Sequence, residues 1–245
     1  MKTPLAILLL LLLAIGCGKN GAQGPHRGAP ASPQAEARNP EPPTTDSKTL
    51  IADPILENAI RKSVKKPTGA LTNADLAKVI DLNLGRNNLT EIPKGLEKLP
   101  QLVGLGLKNN QLTNVTGLEK LTQLELLYLG SNEITDVTGL QKLTLLTDLG
   151  LENNQLTELP KGLEKLTQLT ILYLENNQLT DVTGLEKLTQ LTLLCLNNNQ
   201  LIDVTGLEKL TVLSDLRLPF NPNLTKAQID QLKKALPKCR ILSSH

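Results

Sequence analysis

Few side chains in this 245-residue sequence are of the types that often act in catalysis, metal binding or recognition: two histidines, three cysteines and two tyrosines. His26 lies in a proline-rich stretch and His245 is the last residue. Neither stands near a nucleophile, a base or a second ligand at the spacing that a catalytic or metal site uses. The sequence also has no glycine-rich phosphate loop after a predicted strand and no cluster of cysteine with histidine. It therefore predicts no catalytic residue, no metal site and no cofactor.

Cys17 ends an apolar run at the start of the chain. The run covers residues 5–15, which is shorter than the roughly 20 residues that a membrane-spanning helix needs. We therefore interpret residues 1–16 as a signal peptide. The sequence Leu-Ala-Ile-Gly-Cys at 13–17 resembles the bacterial lipoprotein box, which implies cleavage before Cys17 and lipidation of that residue. The alternative is an ordinary signal peptide followed by a chance cysteine.

The residue after Cys17 is Gly18. In lipoproteins of double-membrane bacteria an aspartate at this place is the familiar inner-membrane retention signal, so its absence favours the outer membrane. The resemblance thus implies an exported protein that its lipid anchors to the cell envelope.

Residues 17–49 form a segment rich in proline, with Gly, Ala, Ser and Thr between the prolines and almost no bulky apolar side chain. Such a segment cannot bury enough apolar surface to offset the entropy of ordering it. We predict a disordered tether with a mean reach of about 30 Å. The prolines are Pro25, Pro30, Pro33, Pro40, Pro42 and Pro43.

Residues 79–224 carry one pattern, Leu-x-x-Leu-x-Leu-x-x-Asn-x-Leu, seven times at a spacing of 22 or 23 residues. A fixed period of this length predicts a solenoid, and the alternating leucines at 82 and 84 predict one short strand per repeat. The strands should stack in parallel, and each repeat should depend on its neighbours to bury its leucines. The repeats begin at Val79, Leu102, Leu124, Leu146, Leu169, Leu191 and Leu213.

An asparagine occupies the ninth position of every repeat, where the chain turns inward after the strand. A side-chain amide both donates and accepts, so a stacked column of asparagines can pair with backbone groups of its own repeat and of the adjacent one. We interpret these residues as a structural ladder. They are Asn87, Asn110, Asn132, Asn154, Asn177, Asn199 and Asn221.

The second half of each repeat has apolar residues three apart, as in Val115, Leu118 and Leu121, and this spacing suits 3₁₀ turns. Together with the leucine and asparagine pattern, this resembles the leucine-rich repeat family. It resembles specifically the 22-residue subclass found in bacterial internalins and in a eukaryotic phosphatase-regulating protein. The resemblance implies an α/β solenoid with a parallel β-sheet on its concave face, 3₁₀ turns on its convex face and protein binding on the concave face.

Helical caps are predicted at both ends of the array, because a repeat array needs its open ends covered. Residues 50–78 contain an Asp-Pro helix start at 53–54 and an acidic capping box at 72–75, and this layout resembles the N-terminal cap of internalin-like proteins. Residues 225–245 contain a helix that Thr225 caps. The sequence after this helix is compatible with a short edge strand at 239–241.

The two remaining thiols are predicted to be free. Cys195 occupies an outward position on the sixth strand and Cys239 lies beyond the seventh, so a bridge would have to cross an intervening strand.

The charges of the chain nearly cancel, with a formal net charge of +2, and Glu-Lys pairs such as 97–98 and 208–209 predict a solvated convex face. Nothing in the sequence resembles the basic surface with stacking aromatics that a nucleic-acid-binding protein requires.

The outward strand positions carry apolar and aromatic residues that the core does not need. Both tyrosines of the chain are among them, and tyrosine is enriched at interface hot spots. We predict a monomeric, membrane-anchored interaction module that binds another protein through this face; the alternative is a structural envelope component without a dedicated partner. The predicted contact residues are Leu126, Tyr128, Ile171, Tyr173, Leu193 and Arg217.

Overall fold

The structure, a computed structural model, describes residues 50–244. The signal peptide at 1–16, the lipidation of Cys17 and the tether at 17–49 lie outside the described residues, and so does His245.

Eight parallel strands of three residues each form one sheet in which every strand pairs with the next strand along the chain. The predicted parallel stacking is confirmed, and the last strand adds an eighth to the seven that the repeats predict. It covers 240–242 rather than 239–241 and pairs with β7. The strands are β1 (Asp81–Asn83), β2 (Gly104–Gly106), β3 (Leu126–Tyr128), β4 (Asp148–Gly150), β5 (Ile171–Tyr173), β6 (Leu193–Cys195), β7 (Asp215–Arg217) and β8 (Arg240–Leu242).

Six 3₁₀ turns lie on the convex side of residues 50–244, as the spacing of three predicts. A glycine with positive φ precedes each turn, for example Gly117 at 104°. In five of the six turns the side chain of the middle residue accepts a hydrogen bond from that glycine, with 2.7 Å between Gly117 N and Glu119 Oε2, for example; these residues are Glu97, Glu119, Gln141, Glu186 and Glu208. These side chains therefore cap the turns while they remain exposed or partly exposed to solvent. The turns are Leu96–Lys98, Leu118–Lys120, Leu140–Lys142, Leu163–Lys165, Leu185–Lys187 and Leu207–Lys209.

Two helices precede the sheet. α1 (Pro54–Ser63) begins where Asp53 accepts a hydrogen bond from Leu56 N at 2.8 Å, and it packs against β1 with Leu56 and Ile60 fully buried. α2 (Asn73–Leu76) has the predicted capping box between Thr72 and Asp75 and is a single helical turn.

One helix, α3 (Lys226–Ala235), follows β7. Thr225 and Gln228 form a second capping box at its start. Its buried face consists of Ile229 and Leu232, which extend the leucine core at this end of the array.

The ladder asparagines from Asn110 onward are buried and join neighbouring repeats. Asn154 Nδ2 donates to Leu129 O and to Leu151 O, both at 3.1 Å, and its Oδ1 accepts from Ile134 N at 3.0 Å. Each such amide pairs with backbone groups of its own repeat and of the preceding repeat, which a buried backbone requires.

Asn87 departs from this arrangement. It is exposed, and its Nδ2 donates to Gly85 O at 3.1 Å within its own repeat. The cause is its place in the first repeat, which has no earlier repeat to supply the second set of backbone partners.

Candidate functional site

The outward face of the sheet arranges the predicted contact residues in two columns. Leu126 of β3 is in register with Asp148 of β4, which in turn is in register with Ile171 of β5. The second column runs parallel to the first. It brings Tyr128, Gly150 and Tyr173 side by side on the same three strands.

All six predicted contact residues are partly exposed on this face, whereas the strand residues between them are fully buried. Leu127, Leu172 and Leu194 have no exposed surface and fill the core. The outward residues are thus available for contact without a role in the core. The partly exposed residues are Leu126, Tyr128, Ile171, Tyr173, Leu193 and Arg217.

The ring of Tyr128 leans toward β4 and covers Gly150. A Cβ at Gly150 would lie 2.9 Å from Glu152 Oε2 and 3.2 Å from Tyr128 Cδ1, so a larger residue there would displace both side chains. Burial raises the pKa of Tyr128 to about 12, with a smaller contribution from the charge of Asp148. The tyrosine is therefore neutral at physiological pH.

An ion pair crosses this surface between repeats that are not adjacent. Lys108 Nζ lies 2.7 Å from Glu152 Oε1, and the lysine also stands 5.1 Å from the centre of the Tyr128 ring. Gly130 lies in the repeat between them. A Cβ at Gly130 would approach Glu152 Oε1 to 2.1 Å, so the pair depends on a glycine at that position.

Three carboxylates of the central repeats, those of Asp148, Glu152 and Glu175, are partly buried on this surface. Among the described residues, neither Glu152 Oε2 nor Glu175 Oε2 has a hydrogen-bond partner, and both atoms are buried. Burial raises the pKa of Glu175, and the nearby charge of Glu152 adds to the effect. Burial also raises the pKa of Asp148, which a hydrogen bond from Thr147 Oγ1 at 2.8 Å partly offsets.

The leucine and asparagine pattern of the repeats does not indicate Lys108, Glu152 and Glu175 as site residues. Each occupies the seventh position of its repeat, two residues after the second outward strand position. Side chains alternate across a strand with a period of two residues. Continuing this alternation from the fifth position to the seventh places all three residues on the outward face.

Cys195 lies in the predicted outward column of β6, in register with Tyr173 and Arg217, but it is not exposed there. Only 1% of this residue is exposed, because it lies in register between the larger residues Tyr173 and Arg217. Burial raises the pKa of its thiol to about 11. Cys195 and Cys239 are both free thiols in this structure.

Arg217 is the predicted contact residue nearest the C-terminal end of the sheet. Its Nε donates to Asp215 Oδ1 at 2.9 Å, and the hydrogen bond with Asp215 raises the pKa of the guanidinium further. Arg240 on β8 lies 3.8 Å from the other oxygen of Asp215. The charges at this end are therefore largely satisfied within the protein.

Residues 50–244 contain no group of three or more His, Cys, Asp or Glu side chains that could hold a metal ion. Within the same range, no helix has the length and apolar character needed to cross a membrane.

The comparisons with known proteins agree with the repeat geometry. A family profile described as leucine-rich repeats (two copies) matches residues 100–142 and 144–187. The crystal structure of internalin C2 from Listeria monocytogenes is 33% identical, with a TM-score of 0.71 over 79% of this chain and 84% of that one. The chain belongs to the internalin family of leucine-rich repeat proteins.

Two other solved structures are similar to this internalin-family chain. An internalin designated InlF from Listeria monocytogenes is 29% identical with a TM-score of 0.69, and 78% of this chain aligns with 56% of that one. A leucine-rich repeat protein of Leptospira interrogans is 33% identical with a TM-score of 0.65, and 69% of this chain aligns with 44% of that one. The chain thus spans about half the length of each. No curated protein sequence matches it.

Proposed function

We propose that this internalin-family protein is a non-catalytic interaction module, that a lipid on Cys17 anchors it to the cell envelope, and that it binds another protein through the concave face of its sheet. The contact surface consists of Leu126, Tyr128, Ile171, Tyr173, Leu193 and Arg217. A partner is expected to come from the envelope or from another cell.

The observation that carries this proposal is the placement of apolar and aromatic side chains outside the core. Tyr128 and Tyr173 stand partly exposed on the same face as Leu126 and Ile171, while the core leucines of the same strands are already buried. Aromatic residues at the centre of a surface contribute strongly to protein–protein binding because they bury a large area on contact. A purely structural repeat gains nothing from holding them there.

Partner binding is tested by comparing the proteins that copurify with the intact protein and with a Tyr128→Ala, Tyr173→Ala double variant, after crosslinking in the envelope. The matched control is a Leu145→Ala, Ile202→Ala double variant, which removes exposed hydrophobic side chains outside the strands. We expect the tyrosine variant alone to lose one or more specific associates. If both variants keep every associate of the wild type, the chain is a structural envelope component instead.

The anchor is tested separately with Cys17→Ser. We expect this variant to leave the membrane fraction while the repeat domain keeps its far-ultraviolet circular dichroism spectrum. Several acyl chains hold a protein firmly, whereas one chain alone binds only marginally. Wild-type retention of Cys17→Ser in the membrane pellet would show that the lipoprotein assignment is wrong.

A further inference from the structure

The centre of the concave face combines two aromatic rings with an excess of negative charge. Tyr128 on β3 and Tyr173 on β5 stand on either side of β4, whose outward residue Asp148 is a half-buried carboxylate. Glu175 continues the negative charge two residues beyond Tyr173. The pair of tyrosines thus borders a region that carries acids.

The cations nearby do not balance these acids. Lys108 is already engaged by Glu152 at 2.7 Å. Arg217, two strands from Tyr173, is engaged by Asp215 at 2.9 Å. Among the described residues this leaves Asp148 and Glu175 without a cationic partner at the centre of the face.

These two carboxylates also receive few hydrogen bonds. Asp148 accepts from the Thr147 hydroxyl and Glu175 accepts from its own backbone N–H, whereas the buried Glu175 Oε2 has no donor among the described residues. A carboxylate that has lost water and gained a single donor is destabilised, and a cation that approaches its exposed atoms relieves that cost. The surface therefore has a charge and a hydrogen-bonding capacity that a positively charged donor complements.

We propose, on the basis of the function proposed above, that the surface formed by Tyr128, Asp148, Tyr173 and Glu175 receives an arginine side chain of the partner protein. A guanidinium group stacks on tyrosine rings and donates in pairs to carboxylates, so one arginine satisfies both the aromatic and the acidic parts of this surface. An acidic segment of a partner would instead be repelled by Asp148 and Glu175.

The probe is a short peptide, acetyl-Gly-Arg-Gly-amide, and its neutral counterpart carries citrulline in place of arginine. The chain has only two tyrosines, so incorporation of 3-fluorotyrosine gives two fluorine resonances that both report on this surface. Tyr128→Phe and Tyr173→Phe assign them. We expect the arginine peptide to shift at least one resonance in a saturable way and to bind about tenfold more tightly than the citrulline peptide, because charge-assisted hydrogen bonds are the stronger ones.

Variants of the acids test the assignment of the site. Asp148→Asn with Glu175→Gln should weaken binding of the arginine peptide about tenfold, since both changes keep the shape and remove the charge. Glu158→Gln, at an exposed position outside the strands, is the matched control and should leave binding unchanged. Circular dichroism verifies that each variant is folded.

Three results would overturn the arginine assignment: equal binding of the two peptides, equal binding by the acid variant and the wild type, or no resonance shift at the solubility limit of the arginine peptide. Failure of the arginine assignment is distinguishable from failure of the proposed function. If captured associates depend on Tyr128 and Tyr173 but not on Asp148 and Glu175, the face binds a protein and the arginine inference alone is wrong.

Discussion

Lys108 and Glu152 belong to repeats that are two apart, yet their charged atoms meet at 2.7 Å across the outward face of the sheet. Adjacent strands of a sheet are separated by about 4.8 Å, so the two side chains together span about 10 Å. They do so over Gly130, the residue at the same position in the repeat between them. The ion pair thus holds two charged side chains in place on the same outward face as the tyrosines.

We expect Gly130→Ala to displace Glu152 and to break this ion pair, because the new Cβ would lie 2.1 Å from Glu152 Oε1. The free energy of unfolding should fall by about 1 kcal/mol, since Lys108 is 44% exposed and a partly exposed pair contributes little more. Denaturant unfolding measures the loss. In a Glu152→Ala background the same substitution should cost clearly less, and an equal cost in both backgrounds would mean that the ion pair is not what Gly130 protects.

Gly106→Ala is the control on the same face. Its Cβ would approach Asn83 Oδ1 only to 3.4 Å, which is an ordinary contact. The stability of this variant should remain within about 0.5 kcal/mol of the wild type.

Asn154→Ala should destabilise the array by about 1–3 kcal/mol, because it leaves buried backbone groups of two repeats without partners. The matched control comes from the same column: Asn87→Ala should change stability by under about 0.5 kcal/mol, since the Asn87 side chain is exposed and donates only to Gly85 O of its own repeat. Chemical denaturation of both proteins decides the matter. Equal losses would show that the asparagines act through the turn of each repeat and not as a ladder between repeats.

The features predictable from the sequence are those that one repeat shares with all the others. The strands, the 3₁₀ turns and the position of the asparagines follow from the period, because each repeat packs against a copy of itself. Asn87 and the eighth strand depart from the repeat at the ends of the array, where a neighbour is missing or is replaced by a different segment.

The details of the candidate site could not be read from the period, because they depend on differences between repeats. The burial of Cys195 follows from the size of Tyr173 and Arg217 on the strands beside it. The contact between Lys108 and Glu152 follows from the small size of a third residue, Gly130. Such relationships involve the reach of particular side chains, which a repeat pattern does not specify.

The Asp75 carboxylate should contribute stability that acid removes. The hydrogen bond from Lys66 Nζ at 2.7 Å, followed by that from the Thr72 hydroxyl, holds the pKa of Asp75 well below its usual range. A lowered pKa in the folded state stabilises the protein above the ordinary aspartate pKa of about 3.9, and this contribution is lost as the pH falls toward the folded value.

The Asp75→Asn variant should accordingly be less stable than the wild type at pH 7, and the difference should shrink as the pH falls below about 4. Thermal unfolding between pH 7 and pH 2 measures it. Glu91→Gln, which removes an exposed carboxylate, is the control and should show no such convergence. A difference that stays constant with pH would assign the effect of Asp75→Asn to lost packing rather than to lost charge.

The two thiols should differ in reactivity. In a Cys17→Ser background, iodoacetamide at pH 8 should label the half-buried Cys239 first and leave Cys195 protected, since a thiol with a pKa of about 11 is only ~0.1% ionised at that pH. Tyr173→Ala should accelerate labelling of Cys195 by uncovering it. Ile171→Ala, in the other column of the same strand, should leave the labelling rate of Cys195 unchanged. Peptide mass spectrometry distinguishes label on Cys195 from label on Cys239. Equal labelling of both cysteines in the wild type would contradict the burial of Cys195.

The last prediction concerns how far the effect of a damaged cap extends along the array. Leu56 of α1 has no exposed surface, and α1 packs against β1, so Leu56→Ala should destabilise this end by about 2–5 kcal/mol. Because each repeat contacts only its neighbours, amide hydrogen exchange should accelerate in β1 and β2 while β6 and β7 keep their protection. Leu232→Ala in α3 is the matched variant at the other end, and there the exchange of β7 and β8 should accelerate instead. If either variant raises exchange equally in all eight strands, the array unfolds as one unit and the caps stabilise the whole sheet.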